Sequence, residues 1–115
     1  MKIHPRTVTA LLLGLCAAHG ALADDAAQVE RGHEVFQKWC APCHGPGPGK
    51  PGTIALAALY KGTKPAPLEE RTDLSADFIK LYVRHGVSIM APFRKTEVSD
   101  VDLAALSAYL TRAKP

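Results

Sequence analysis

Cys40, Cys43 and His44 sit together in the stretch WCAPCHG, and their types and spacing allow two incompatible chemistries. A Trp-Cys-x-Pro-Cys dithiol exchanges disulfides through a thiolate, which needs a first thiol of lowered pKa. A Cys-x-x-Cys-His run attaches a c-type haem instead: each sulfur joins one vinyl group of the same porphyrin, and the histidine lies beneath the iron as proximal ligand. A zinc site is the weaker third reading, because structural zinc takes a second Cys/His pair beyond these three residues. A low-spin electron-transfer haem also needs a sixth ligand, and Met/His ligation raises the potential. Met90, in HGVSIMAPFRKTEVSD, is the one methionine besides Met1. It follows a helix stop and precedes Pro92, a loop setting unusual for a methionine that merely fills a core. His33 and His85 are the competing sixth ligands.

These residues need elements to hold them. Val29, Gly32, Val35, Phe36 and Trp39 recur at helical spacing through residues 26–40, which predicts an amphipathic helix ending at Pro42. Glycines and prolines then break residues 45–67 into loops and turns, interrupted by a short helical run from Thr53 to Tyr60. A second main helix follows Ser75 as N-cap and stops at Gly86. A third follows Ser99, where Ser99-Asp-Val-Asp102 resembles a capping box, and places Leu103, Leu106 and Leu110 on one face with Tyr109 beside them. No repeat and no pair of alternating strand-like runs is visible. The fold class is all-α.

That organisation favours haem. In a thioredoxin-like site a helix leaves the cysteines and its dipole lowers the first thiol's pKa; here the charged, helical ERGHEVFQKW runs into them. The Gly-Pro-Gly-Pro-Gly that follows cannot continue as a long helix. It can wrap a haem edge. The free ring nitrogen of a proximal histidine is ordinarily held by a backbone carbonyl, and Pro51 or a neighbour in GPGPGKPG is the expected supplier. Trp39, Tyr60, Tyr82 and Phe93 are candidates to line the pocket or bond a propionate, and plain core packing accounts for each of them as well.

MKIHPR, the apolar run Val8 to Ala18 and Ala21-Leu22-Ala23 together read as a secretory signal peptide over residues 1–23, with residues 24–115 as the exported domain in a periplasm. The apolar run is too short to cross a bilayer as a helix, so no membrane span is expected in the mature chain. A retained anchor is the alternative. Cys16 lies in the leader and leaves with it. Two of the cations behind the formal net charge of +3, Lys2 and Arg6, also lie there, so nothing argues for nucleic acid. A domain this small supplements its core, and a bound apolar group does so better than a disulfide across the short Cys40–Cys43 step.

With these residues in hand the chain resembles a class I cytochrome c: Gly32 and Phe36 on the first helix match positions that cross the last helix near its aromatic, here Tyr109, and CAPCH, a methionine loop and a C-terminal helix follow in order. The segments ALYKGTKPAPLEERTDL, YVRHGVSIMAPFRKTEVSD and DLAALSAYL are similar to the cytochrome subunit of the p-cresol methylhydroxylase family, which includes 4-cresol dehydrogenases and alkylphenol and eugenol hydroxylases. The resemblance implies one covalent haem c and a partner flavoprotein carrying FAD that passes on electrons from a phenol. It also implies a downstream periplasmic acceptor, such as a copper protein or another cytochrome, and a cytochrome that is itself not an enzyme. Many relatives carry proline directly after the ligand methionine, where this chain has Ala91. A free diffusible cytochrome serving an oxidase or reductase is the alternative, and a thiol oxidoreductase the more distant one. Docking is expected where the haem edge emerges, near Ala41-Pro42 and Ala91-Pro92-Phe93, with Arg84, Arg94 and Lys95 as a basic rim.

Overall fold

A computed structural model describes residues 5–114, with side chains from Leu22 onward. The leader expected over residues 1–23, Cys16 included, falls largely outside the described side chains. Helix α1 spans Pro5–Trp39, α2 is the single turn Ala41–His44, α3 spans Pro51–Tyr60, α4 Ala76–His85 and α5 Asp100–Thr111; a 3-10 turn covers Leu68–Glu70. Among the described residues there is no strand, only an isolated bridge between Val87 and Met90. The all-α expectation holds. Nor, among these residues, is any helix long and apolar enough to cross a membrane.

The first helix begins far before residue 26, since the preceding sequence is dominated by alanine and leucine, the strongest helix formers. Two caps read from the sequence are present: the Ser75 hydroxyl accepts from the Phe78 amide at 3.2 Å, and the Ser99 hydroxyl accepts from the Asp102 amide at 3.1 Å. Gly86 ends α4 in a left-handed conformation, φ 69°.

The core forms where α1 crosses α5, with Phe36 fully buried against Leu106 and Leu110, and Ile79 and Val83 of α4 closing it. The crossing is close because Gly32 has no side chain: a Cβ there would strike the Ala105 carbonyl and lie 2.6 Å from Tyr109 Cβ. Tyr109 is central. Its ring lies 5.9 Å from Phe36, Arg112 stacks over it at 3.8 Å, and its hydroxyl donates to Glu69, tying α5 to the 3-10 turn.

Candidate functional site

The end of α1 carries the first cysteine. The Cys40 amide still donates to the Phe36 carbonyl at 2.9 Å, and the His44 amide donates to the Cys40 carbonyl at 2.8 Å, so the motif is one tight turn grown on a helix C-terminus. Both cysteines are free thiols, Cys40 half-buried and Cys43 exposed. Burial, reinforced by Cys43, pushes the Cys40 thiol up to about 12. That is the reverse of what a thiol–disulfide exchanger needs.

Beside this turn opens an apolar cavity whose wall includes Cys40, His44 and Met90, joined by Tyr60, Tyr82 and Arg71. Leucines from three further segments, Leu56, Leu68 and Leu106, supply much of its surface. Cys43, one turn on, is exposed and is not on the cavity wall. His33 and His85 are not on the wall: His33 lies 3.2 Å from Gln37 Nε2 and 5.1 Å, ring to ring, from Tyr109, and His85 is an exposed residue ending α4.

Two expectations need correction. The Pro51 carbonyl does not hold the proximal ring. His44 Nδ1 is buried with no hydrogen-bond partner, because Pro51 takes the first position of α3, where its carbonyl is directed along the helix. What meets the ring is Gly52, at which a Cβ would stand 2.5 Å from His44 Cε1 and 2.7 Å from Nδ1. The edge bearing Cε1 and Nδ1 thus faces α3, while His44 also lines the cavity. Burial lowers the pKa of His44, favouring the neutral imidazole that a metal requires. Trp39 is likewise not on the cavity wall, and neither is Phe93. It packs edge-to-face on Trp39 at 5.9 Å, because its amide is drawn to the Val83 carbonyl at 2.8 Å.

The methionine loop is held by its main chain. Val87 and Met90 exchange amide-to-carbonyl bonds of 3.0 and 2.9 Å, and a Cβ on Gly86 would strike the Met90 carbonyl and come within 2.9 Å of Pro92 N. The basic rim expected around it is paired within the chain, three cations against two carboxylates: Arg84 and Lys95 share Asp100 at 2.9 and 2.7 Å, and Arg94 pairs with Glu97 at 3.3 Å.

Sequence reasoning missed Arg71. Only 4% exposed, it grips Asp73 through Nε and Nη2 at 2.8 Å each and donates from Nη1 to the Tyr60 hydroxyl at 2.6 Å. Lys64 adds a third bond to Asp73 at 2.7 Å. These bonds use three of the five guanidinium hydrogens, so two remain at the cavity wall for an anionic ligand group. The only signal was the alternation Arg71-x-Asp73 shortly before Ser75.

A sequence model of the family described as cytochrome c oxidase, cbb3-type, subunit III matches residues 27–110. The chain belongs to this family. No curated protein and no solved structure matches it. As a c-type cytochrome domain it takes haem c and transfers electrons. Its residues fit that group on their own terms: an apolar cleft, a neutral imidazole, a thioether, thiols at the margin and a buried cation for a carboxylate.

Proposed function

We propose that this cytochrome accepts electrons from an FAD-bearing flavoprotein that oxidises p-cresol or a related 4-alkylphenol, working in the periplasm as residues 24–115 after loss of the leader 1–23. The observation that carries the haem assignment is the apolar cavity walled by Cys40, His44 and Met90. In this reading Cys40 and Cys43 would attach a single haem c through thioethers, His44 and Met90 would ligate its iron, and Arg71 with Tyr60 would receive a propionate. Haem c, when bound, supplies a one-electron couple between ferric and ferrous iron. The chain contributes ligation and a dry setting: Leu56, Leu68 and Leu106 keep water from the cleft, which disfavours the more highly charged state and raises the potential. A reduced flavin gives up two electrons in succession, so a copper protein or second cytochrome takes each one onward before the next arrives.

The flavoprotein assignment is supported by the three segments similar to the p-cresol methylhydroxylase cytochromes, which between them contribute Tyr60, Arg71, Tyr82, Met90 and Leu106 to the cavity wall. A second reading, a free diffusible carrier serving an oxidase or reductase, is supported only as far as the description of the matched family names an oxidase.

A pyridine haemochrome spectrum with the mass of the purified chain tests the shared foundation; a chain without covalent haem overturns both readings. Purification from the native host separates the two. Co-elution with a flavoprotein, and anaerobic reduction by a 4-alkylphenol, are expected. A cytochrome that elutes alone and is reoxidised only by oxidase-bearing membranes would establish the second reading.

A further inference from the structure

Helix α3 is apolar on every side, and one side has no partner. Gly52 and Thr53 face α2: Gly52 touches His44, and the Thr53 hydroxyl donates to the Gly45 carbonyl at 2.8 Å. Leu56, Leu59 and Tyr60 face the cavity. The rest of the helix, including Ile54, Ala55, Ala57 and Ala58, is exposed, and no residue of α3 is buried; Ile54 is 58% exposed and Leu59, at the cavity mouth, 69%. The two polar side chains of α3 are both engaged inward, Thr53 with Gly45 and Tyr60 with Arg71. A helix apolar all round is ordinarily covered, and a group in the cavity covers only the Leu56 side.

Charge indicates what covers the other. Lys50 stands at the N-terminal cap of α3 and Lys61 at its C-terminal cap, and neither makes an ion pair among the described residues. Lys61 holds a left-handed backbone, φ 50°, at a position where glycine is the unstrained choice, so a long cation is kept there against local preference. The cations by the methionine loop are, by contrast, each paired, Arg84 and Lys95 with the one carboxylate of Asp100 and Arg94 with Glu97, three positive charges against two negative.

We propose that the outer face of α3 docks a redox protein whose contact surface is apolar at its centre and bears carboxylates at its margin. This rests on electron transfer as the function and holds whether or not the partner is the flavoprotein. A second copy fits poorly, because α3 laid on α3 sets lysine against lysine in either direction. A lipid surface calls for large anchoring side chains, and this face offers one isoleucine among alanines. A partner seated here lies one helix diameter, about 10 Å, from the cavity.

The test places a photo-crosslinking amino acid at Ala58 of the haem-loaded protein in its native host and identifies each adduct by mass spectrometry. The expected adduct is a flavin, copper or haem protein joined through a peptide rich in Asp or Glu, its yield cut at least ten-fold by K50E with K61E. An adduct joining two copies, an adduct to lipid or to a protein without a redox centre, no adduct, or a yield indifferent to charge reversal overturns the proposal. The haem spectrum is recorded on the same material, so a failure of haem binding is distinguished from a failure of docking.

Discussion

The room for His44 is set by a missing methyl group. Gly52→Ala would drive a carbon into the imidazole edge at 2.5 Å and into the Cys43 carbonyl at 2.9 Å, so the variant is expected to mature with a low yield of covalent haem and an altered ligand-field spectrum. An unchanged yield and spectrum would show that the ring has slack. Met90→Ala is expected to abolish the weak sulfur-to-iron absorption band of the ferric protein, and persistence of that band would implicate another ligand. In chain produced without haem, Cys43 should be alkylated well before Cys40 at pH 8, because Cys40 is shielded and its thiolate is scarce; peptide mapping after brief iodoacetamide treatment reads the order. At this scale the sequence was informative where chemistry is dense in the letters, as in CAPCH, and silent where it depends on distant partners. Arg71 looks like loop solvation until Tyr60 and Asp73 are brought to it.

Helix α5 meets α1 through a contact that admits no side chain at Gly32. Gly32→Ala must separate backbone from backbone, and a destabilisation of about 3 kcal/mol is expected, at the upper end of overpacking costs. Ser99→Ala removes one cap bond and should cost about 1 kcal/mol. Urea unfolding of both variants checks the order. The elements were the most legible level: Ser75, Gly86 and Ser99 mark real helix boundaries because capping is a local event. The helix within the Gly/Pro region was also legible, since Pro51 is as welcome at a first helical position as in a loop. The 3-10 turn Leu68–Glu70 was not, because Tyr109, some forty positions on, is what fixes Glu69.

For the molecule as a whole, acid should be the weak side. Arg71 first, and Lys64 after it, hold the Asp73 carboxyl well below its ordinary value of 3.8. A carboxylate depressed by folding favours the native state above its unfolded pKa, and that contribution drains away as pH falls from about 4 through the folded value. Asp73→Asn should therefore be less stable than the parent at pH 7, with Arg71 left buried beside a neutral amide. The two should converge as both are titrated toward pH 2.5. Urea midpoints at a series of pH values report the convergence, and a gap that stays constant would remove Asp73 from the acid limb.

The loop that carries Met90 owes its shape to the Gly86 hydrogen, to a positive-φ backbone at Ser88, φ 53°, and to main-chain bonds between Val87, Met90, Val83 and Phe93, none of which depends on which side chains occupy positions 89 and 91. Those two sites are then free to drift over generations while the sulfur stays where it is, whereas position 88 must accept a positive φ. Ala91 in place of proline is a tolerated spelling of this kind, and the heritable constraint on the loop rests on Gly86 and the turn at Ser88.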